Sequence, residues 1–381
     1  MAGRVFRFTQ GPSAQATPSA VDRSLADNTD AVVLVGGKGT RLRPLTLSAP
    51  KPMLPTAGLP FLQHLLSRIK AAGITHVVLG TSFKAEVFEQ HFGDGSEMGL
   101  EIDYVMEEEP LGTGGGIRNV YPKLRGDTVL VFNGDVLGGT DPLAVLGTHH
   151  EKDADVTMHL VRVSDPRAFG CVPTDGDGRV LEFLEKTQDP PTDQINAGCY
   201  VFKRSVIEKI PAGRNVSVER EVFPKLLADD ARVYGHVDSA YWRDMGTPED
   251  FVRGSADLVR GIAPSPALEG QSGESLVHEG AGIAPGALLI GGTVVGRGAE
   301  VSGGARLDGA VVFDGAKVDA GAVVERSIIG YGAHIGPRAL IRDAVIGDGA
   351  QVGARCELIG GARVWPGVMI PDGGLRFSTD V

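Results

Sequence analysis

The most constraining feature of this sequence is a regular spacing of aliphatic residues in its C-terminal part. From Ile283 to Ile370 an aliphatic residue recurs at steps of six, with steps of five arriving at Val312, Ile329 and Ile346. A repeat of fixed period indicates an architecture in which each unit buries its apolar side chain by stacking on its neighbours. Three short strands per coil, each pointing one aliphatic residue inward, predict a solenoid of triangular cross-section.

This spacing resembles the hexapeptide repeat of left-handed parallel β-helices. A glycine often follows the aliphatic residue, as in Ile335-Gly336 and Val352-Gly353. The steps of five lie 17 residues apart, which predicts one shortened corner in each coil. A β-sandwich would not keep this register. We therefore assign residues 277–381 to a left-handed β-helix domain, a rigid element that is expected to assemble the chain into a homo-oligomer.

The preceding part of the chain alternates strand-like and helix-like runs over residues 30–253. AVVLV at 31–35 and TVLVFN at 128–133 are short apolar runs of the kind that buried parallel strands show. The alternation predicts a doubly wound, mostly parallel, Rossmann-like α/β sheet, whose ligands bind beyond the carboxyl ends of its strands. Residues 254–276, which contain many Gly, Ala, Ser and Pro, are predicted to be a linker. Residues 1–29 are polar and are predicted to be a flexible N-terminal extension.

Composition narrows the class of partner. The formal net charge of −11 argues against nucleic-acid binding, which needs a basic face. The three cysteines are too far apart for a disulfide framework or a zinc site, and they favour a reducing cytoplasm. We expect no membrane association, because no apolar run reaches the roughly 18 residues of a membrane span and the first residues lack the apolar segment of a signal peptide.

The stretch VVLVGGKGTRLRPLTLSAPKPM, at 32–53, begins as a strand and breaks into glycines followed by cations. A Walker loop requires Gly-Lys followed by Ser or Thr, but here Gly39 is followed by Thr and Arg. A dinucleotide fingerprint requires a third glycine and the start of a helix, where this chain has Arg43 and Pro44. What remains is a turn whose exposed amides can form an anion nest and whose cations can bind phosphate. These cations are Lys38, Arg41, Arg43 and Lys51.

Three motifs together carry a resemblance to a known family: GGKGTRLRPLT followed by PKPM, EEEPLGTGGG at 107–116, and YWRDMGTPEDF at 241–251. They are similar to the motifs of sugar-1-phosphate nucleotidyltransferases, and the resemblance extends from Asp30 to the C-terminus. Within that family they look closest to the mannose-1-phosphate guanylyltransferases. The resemblance implies that GTP and mannose 1-phosphate are the substrates, that GDP-mannose and pyrophosphate are the products, and that Mg²⁺ is the cofactor.

The resemblance also implies roles for particular residues, including those of two further motifs, LEKT at 184–187 and NAG at 196–198. The catalytic cations would be Arg41, Lys51 and Lys186. The nucleotide would be held by Val35, Gly36, Gly37, Gly39, Thr40, Glu109, Gly112 and Thr113. The sugar phosphate would be held by Gly170, Glu185, Lys186 and Asn196, and the metal by Asp135 and Asp244. Glu109 offers two carboxylate acceptors to the two adjacent donors of guanine.

Three alternatives remain open at the level of sequence. Another nucleotide and sugar, such as dTTP or UTP with glucose 1-phosphate, would keep the same reaction class. A catalytically silent regulatory subunit would keep the fold but lose a catalytic cation or a metal carboxylate, and this chain retains all of them. An acyltransferase would need a histidine base in the groove of the β-helix, and His334, inside the repeats, is expected at a turn.

Overall fold

The structure is a computed structural model that describes residues 20–82 and 84–375. Most of the predicted N-terminal extension, 1–29, lies outside the described residues, as do positions 376–381 of the predicted β-helix domain. The described remainder of the extension differs from the prediction, because it forms helix α1 (Ala20–Asp27) and the start of the first strand. The helix is held in place because Ala26 is buried in the apolar core of the N-terminal domain.

The N-terminal domain alternates strands and helices along the chain, as the sequence predicts. Its strands are β1 (Thr29–Leu34), β2 (Pro55–Thr56), β3 (Leu59–Pro60), β4 (His76–Thr81), β5 (Glu101–Met106), β6 (Thr128–Asn133), β7 (Val136–Gly138), β8 (Val156–Arg162), β9 (Gly170–Cys171), β10 (Leu184–Glu185), β11 (Gln194–Lys203), β12 (Val233–Asp238) and β13 (Trp242–Asp244). The helices after α1 are α2 (Phe61–Ala71), α3 (Ala85–Phe92), α4 (Gly112–Asn119), α5 (Pro142–Glu151), α6 (Arg204–Glu208), a π-helical turn (Val218–Val222), α7 (Phe223–Ala228) and α8 (Pro248–Val259). No helix within the described residues combines the length and apolar character that crossing a membrane would require.

The central sheet confirms the predicted Rossmann-like class. Strands β5, β4, β1 and β6 lie side by side and parallel, so their carboxyl ends meet at one edge. Beyond β6 the long strand β11 joins antiparallel, followed by β8, which is antiparallel to β11, and β12, which is parallel to β8. Strands β1 and β4 are almost completely buried, which explains why their sequences are continuous apolar runs rather than alternating ones.

The C-terminal domain is built of very short strands. They are β14 (Ser275–Val277), β15 (Gly282–Ile283), β16 (Leu288–Ile290), β17 (Thr293–Val295), β18 (Glu300–Val301), β19 (Arg306–Asp308), β20 (Val311–Val312), β21 (Lys317–Val318), β22 (Val323–Glu325), β23 (Ile328–Ile329), β24 (His334–Ile335), β25 (Leu340–Arg342), β26 (Val345–Ile346), β27 (Gln351–Val352), β28 (Glu357–Leu358), β29 (Arg363–Val364) and β30 (Met369–Ile370). Each strand pairs in parallel with the strand one coil later, which gives three parallel sheets.

The register of these sheets confirms the predicted repeat. Val295 pairs with Val312, which pairs with Ile329, which pairs with Ile346, so each coil in this region takes 17 residues. The aliphatic residues of the repeat are buried together in one apolar core between the three sheets. Parallel sheets stacked in this way are consistent with a left-handed β-helix.

The two domains share one apolar cluster, which we call the interdomain cluster. Its buried members are Leu42, Leu45, Leu54, Ala57, Phe61, Leu137, Met245, Phe251, Val252, Leu258, Val259, Ala263, Val294, Val311, Phe313, Ile328 and Val345. Val294, Val311, Ile328 and Val345 each precede an inward-facing residue of the same sheet, so they point to the opposite, outer face. Burying one such side chain contributes roughly 1.5–3 kcal/mol. The β-helix is therefore packed on the N-terminal domain along a whole sheet.

The predicted linker, 254–276, is wrong at its start, because helix α8 continues to Val259. Gly254 and Ser255 contributed to the linker-like composition, but both are buried helical residues with packing roles. A Cβ added at Gly254 would lie 2.5 Å from Met245 Sδ, and Ser255 Oγ accepts a hydrogen bond from the Ala57 amide at 2.9 Å. Small residues are required here because α8 approaches its neighbours closely.

A buried ionic network ties three neighbouring strands together near their amino ends, opposite the carboxyl edge. His76 Nδ1 lies 2.6 Å from Asp30 Oδ1, and its Nε2 lies 3.2 Å from Asp103 Oδ2. The hydrogen bond with Asp30, aided by Asp103, raises the pKa of His76 against the opposing effect of burial. The protonated imidazole is thus stabilised by folding. Its contribution is fully present below the unfolded pKa near 6.5 and is lost as pH rises through the raised folded value.

We expect His76→Gln to destabilise the fold by roughly 1–3 kcal/mol at pH 6, the range for hydrogen bonds to charged groups. The difference from the wild type should shrink as pH rises toward 9, because the wild-type imidazole then loses its proton. Urea unfolding at a series of pH values measures this. His150→Gln is the matched control, since His150 is exposed and its side chain has no hydrogen bond within the described residues. A difference that does not vary with pH would contradict the charged-network interpretation.

Candidate active site

The carboxyl ends of β1, β4 and β6 surround a cavity of about 710 Å³, a volume in the range of small-molecule sites. It is lined by Leu34, Gly36, Gly37, Lys38, Gly39, Thr40, Arg41, Leu42, Lys51, Pro52, Gly80, Ser82, Glu107, Glu108, Glu109, Pro110, Gly112, Thr113, Asn133, Gly134, Asp135 and Gly246. Three of the predicted motifs therefore meet here, although they are far apart in sequence. This is the location that the doubly wound topology predicts for a ligand.

The segment from Gly36 to Met53, which we call the signature loop, is held in part by hydrogen bonds between its backbone and nearby side chains. Gly39 has φ 54°, and a Cβ added there would lie 2.9 Å from Thr46 Cγ2, so this position requires glycine. Thr46 Oγ1 donates to the Gly39 carbonyl at 2.9 Å, and the Gly37 amide donates to Ser82 Oγ at 3.3 Å. The loop continues as three 3₁₀ turns, at Thr40–Leu42, Leu45–Leu47 and Lys51–Met53.

Arg41 connects the signature loop to the last motif of the N-terminal domain. Its guanidinium lies against Gly246, where an added Cβ would sit 2.7 Å from Nη2. Gly246 lies in the turn between β13 and α8, two residues after Asp244. The absence of a side chain at Gly246 lets the guanidinium lie directly against the backbone of this turn.

Lys51 lies between the two predicted metal carboxylates. Its side chain is only 10% exposed, and its ammonium is 3.1 Å from Asp135 Oδ2 and 3.9 Å from Asp244 Oδ1. Strand pairing explains the convergence, because β13 runs antiparallel to β7 and places Asp244 opposite Val136, next to Asp135. Burial raises the pKa of Asp244, and the neighbouring negative charge of Asp135 adds to this effect, while Lys51 and Arg41 oppose it.

This donor set fits a divalent cation. Asp135, in the turn between β6 and β7, and Asp244, at the end of β13, both approach the Lys51 ammonium, and their mutual repulsion is only partly offset by Lys51 and Arg41. Within the described residues, no cluster of three or more His, Cys, Asp or Glu side chains could hold a metal by itself. A cation at Asp135 and Asp244 would therefore need oxygen ligands from a substrate or water, which is the usual arrangement for a hard ion that binds with phosphates.

The acidic loop before α4 forms the opposite wall of the cavity. Gly112 and Gly114 pack directly on Val216, since a Cβ added at either would lie within 3.2 Å of the Val216 carbonyl oxygen. Thr113 Oγ1 donates to Glu219 Oε2 at 2.8 Å and accepts from the Val218 amide at 2.9 Å. Glu219, to which the sequence assigned no role, therefore fixes the first turn of α4.

The three glutamates of this loop differ in their surroundings. Glu109, the predicted base-binding residue, is exposed and makes no hydrogen bond within the described residues. Glu107 is half-buried, and its Oε2 accepts from the Leu111 amide at 3.3 Å. Burial raises the pKa of Glu107, against the effect of that amide. A fixed, partly desolvated carboxylate discriminates between ligands more strongly than a solvated one, so Glu107 is a site residue that the sequence did not single out.

The predicted sugar-phosphate residues do not line this cavity. Gly170 and Glu185 lie opposite each other on β9 and β10, and Lys186, with φ 47°, follows at the end of β10. Lys186 Nζ is 4.0 Å from Glu185 Oε1, and the lysine side chain is 64% exposed. Asn196 bonds internally, because its Nδ2 donates to the Tyr200 hydroxyl at 2.6 Å and its Oδ1 accepts from the Gly198 amide at 3.0 Å.

Most of the predicted nucleotide and phosphate residues lie in the cavity. They are Gly36, Gly37, Gly39, Thr40, Arg41, Lys51, Glu109, Gly112, Thr113 and Asp135. The Val35 side chain instead points into the apolar core, and Asp244 lies beside the cavity through its contact with Lys51. Ser82, Asn133 and Gly246 also line the cavity. Asn133 ends the predicted strand TVLVFN, and Gly246 belongs to the motif YWRDMGTPEDF.

His334, considered above as an acyltransferase base, does not lie at a turn. It lies in strand β24. The alternation of side chains along that strand directs it outward, next to the buried Ile335. Its Nε2 lies 2.8 Å from Asp319 Oδ2. The histidine is thus hydrogen-bonded to a neighbouring carboxylate on the surface of the β-helix.

Comparison with known proteins agrees with this architecture. The nucleotidyl transferase family matches residues 30–261, and the GMPPB C-terminal domain matches residues 271–372. The chain is 76% identical to the mannose-1-phosphate guanylyltransferase of Mycobacterium tuberculosis, over 92% of this chain and 98% of that protein. It is 34% identical to a probable mannose-1-phosphate guanylyltransferase of Oryza sativa subsp. japonica, over 73% of this chain and 79% of that protein.

A solved structure is similar to the N-terminal domain. HddC from Yersinia pseudotuberculosis, in a crystal structure complexed with GMP-PN, superposes with a TM-score of 0.53 at 30% sequence identity. The similarity covers 60% of this chain and 99% of that one. The chain therefore belongs to the nucleotidyl transferase family, and its β-helix is a GMPPB C-terminal domain.

Proposed function

We propose that this protein is a mannose-1-phosphate guanylyltransferase, which joins the guanylyl group of GTP to mannose 1-phosphate and releases pyrophosphate. The observation that carries the proposal is a single cavity where Arg41, Lys51 and Asp135 converge beside a glycine-rich acidic loop. The 76% identity to the mycobacterial relative of that name supports the choice of substrates. A homo-oligomer formed through the β-helix domain is part of the proposal, and light scattering tests it.

The reaction requires no nucleophilic side chain, because the substrate phosphate is already an ionised nucleophile. A phosphate oxygen of mannose 1-phosphate attacks the α-phosphorus of GTP, and the bond from that phosphorus to the β-phosphate oxygen breaks. The electron pair of that bond leaves with pyrophosphate. Catalysis then consists of positioning and of stabilising the negative charge that develops. This chain supplies cations for both tasks.

Two cations of the signature loop take different parts of the triphosphate. Arg41, which is exposed and lines the cavity, stabilises the charge that grows on the leaving β- and γ-phosphates. Lys51, nearly buried between Asp135 and Asp244, holds the α-phosphate where the two reactants meet. Gly37 and Gly39 line the same cavity, and the Gly39 amide supplies a neutral donor to phosphate oxygens.

Nucleotidyltransferases of this family generally use a divalent metal ion. We propose Mg²⁺, held by Asp135 and Asp244, because a pair of carboxylates completed by phosphate oxygens and water suits this ion. When bound, Mg²⁺ supplies neutralisation of the negative charge on the nucleotide phosphates. The raised pKa of Asp244 fits this role, since an incoming cation relieves the repulsion between the two carboxylates.

The sugar phosphate occupies the side of the site near β9 and β10. Glu185 accepts hydrogen bonds from sugar hydroxyls, and Lys186 holds the attacking phosphate. Gly170 lies beside Glu185 and packs against Phe183, because an added Cβ would lie 2.8 Å from Phe183 Cζ. Lys186 is largely exposed, so it can move toward the nucleotide when the sugar phosphate binds. Asn196 completes the pocket once its internal hydrogen bonds open.

Guanine is recognised by the acidic loop before α4. A carboxylate presents two acceptors that match the two adjacent donors of guanine, whereas thymine and uracil present only one donor on the corresponding edge. Glu107 is better suited than Glu109, because burial and the Leu111 amide fix its orientation. Glu109 remains the prediction made from sequence, and it lies within the same cavity wall.

Pyrophosphate release should be fastest with GTP and mannose 1-phosphate when the full chain is assayed with Mg²⁺. The panel pairs GTP, dTTP, UTP, CTP and ATP with mannose 1-phosphate and with glucose 1-phosphate. Product identity is checked by mass spectrometry. A higher kcat/KM for dTTP or UTP with glucose 1-phosphate would replace the substrates that we propose. Absence of release with every pair would support a silent regulatory subunit.

Lys51→Ala and Asp135→Ala should each lower kcat/KM by a hundredfold or more. This corresponds to about 2–4 kcal/mol of lost transition-state stabilisation, the magnitude for one removed charge-stabilising contact. Lys209→Ala and Asp177→Ala are matched controls, because both side chains are exposed and lack hydrogen bonds within the described residues. Circular dichroism melting verifies the fold of each variant. Near-normal turnover of either site variant would exclude the assigned role.

Glu107→Gln should lower kcat/KM for GTP by roughly tenfold to a hundredfold, since one acceptor of a bidentate contact becomes a donor facing a donor. The loss for dTTP or UTP should be smaller, so discrimination between nucleotides falls. Glu109→Gln, measured with the same nucleotides, is the direct comparison and should have the weaker effect. The opposite order would assign guanine recognition to Glu109.

A further inference from the structure

The signature loop is held from outside its own domain by an arginine of the β-helix. Arg363, on strand β29 near the end of the solenoid, donates through Nη1 to the Arg41 carbonyl at 2.8 Å and to the Arg43 carbonyl at 2.7 Å. Arg363 lies more than 300 residues after the loop in sequence, so this contact exists only because the two domains pack together. One guanidinium nitrogen thus fixes two alternate carbonyls around the same 3₁₀ turn.

A second polar contact holds the same loop further along the chain. Ser48 Oγ donates to Asp348 Oδ2 at 2.6 Å. Asp348 itself is fixed by its solenoid corner, because its Oδ1 accepts from the Tyr331 amide at 3.0 Å. The loop between the two catalytic cations, Arg41 and Lys51, is therefore bonded to the β-helix at two separated points.

Apolar packing against the β-helix also holds the signature loop between these two polar contacts. Leu42 and Leu45 are fully buried in the interdomain cluster, together with Val311, Ile328 and Val345 of the β-helix. Leu42 is adjacent to Arg41 in sequence, so the packing of Leu42 and the two bonds from Arg363 constrain the backbone that directly follows the Arg41 Cα. The signature loop is thus anchored on a rigid solenoid rather than left as an exposed turn.

We propose that Arg363 is a positioning residue for catalysis. The β-helix then sets the placement of Arg41, in addition to any role that this domain has in assembly. The proposal rests on the function proposed above only in taking Arg41 as the cation for the leaving phosphates. A displacement of about 1 Å in a charge-stabilising group can reduce a rate by the order of a hundredfold. The effect of Arg363 is therefore transmitted through the backbone of the signature loop, and its own side chain need not touch the substrate.

The test compares Arg363→Met, which removes the donors, with Arg363→Lys, which keeps a positive charge and can donate to both carbonyls. Arg363→Met should lower kcat by about tenfold to a hundredfold with little change in KM for the nucleotide, and Arg363→Lys should restore much of the loss. Arg355→Met is the control, because Arg355 is an exposed arginine of the same domain whose side chain makes no hydrogen bond or ion pair in the described part of the chain.

Hydrogen exchange supplies a readout that does not depend on turnover. Amides of residues 39–48 should exchange faster in Arg363→Met than in the wild type or in Arg355→Met, with unchanged exchange in the β-helix core. Kinetics use whichever nucleotide and sugar phosphate the wild type converts best, so a different substrate preference would not obscure the result. If Arg363→Met retains the kcat of the control and the loop amides exchange at the wild-type rate, the positioning role is refuted. If kcat falls equally in Arg363→Lys and exchange is unchanged, the role is also refuted.

Discussion

The packing of the signature loop on the outer face of one β-helix sheet is the constraint on which the rest of the site depends. Val311, Ile328 and Val345 form a ladder at the spacing of the coils, and Leu42 and Leu45 are buried against it. Glycine-rich phosphate loops usually gain rigidity by opening directly into a helix, but this loop does not. Here the solenoid replaces that helix as the rigid support, because strands β20, β23 and β26, which carry this ladder, are each hydrogen-bonded to neighbouring strands on both sides.

Charge at the site is arranged in the opposite way from charge at the amino edge of the sheet. At the amino edge, His76, Lys123 and Arg125 pair with Asp30, Glu101 and Asp103, so the network is balanced in charge and serves stability. At the carboxyl edge, Lys51 faces two carboxylates whose repulsion raises the pKa of Asp244. The first arrangement is satisfied within the protein. The second leaves repulsion between two carboxylates only partly offset, which is typical of a binding site rather than of a stabilising network.

The sequence predicts those parts of this structure whose residue pattern is local in the chain. The β-helix was predictable because one aliphatic residue per short strand recurs at a fixed step, and each strand pairs only with the next coil. The cavity residues were predictable because motifs at the carboxyl ends of parallel strands must meet. The C-terminal end of helix α8 was not predicted, because Gly254 and Ser255 resemble linker residues. Their small size is instead required by close contacts with Met245 and Ala57. Such contacts join distant segments and leave no local pattern.

The residues that the sequence missed share this non-local origin. The sequence did not single out Arg363, since its partners are backbone carbonyls that carry no sequence signal. It assigned no role to Glu219, because the partner Thr113 lies in another motif. Arg363 holds the backbone at Arg41 and Arg43, and Glu219 holds the side chain of Thr113. Motifs therefore reveal the groups that line the cavity, whereas only the fold reveals the groups that hold them by hydrogen bonds.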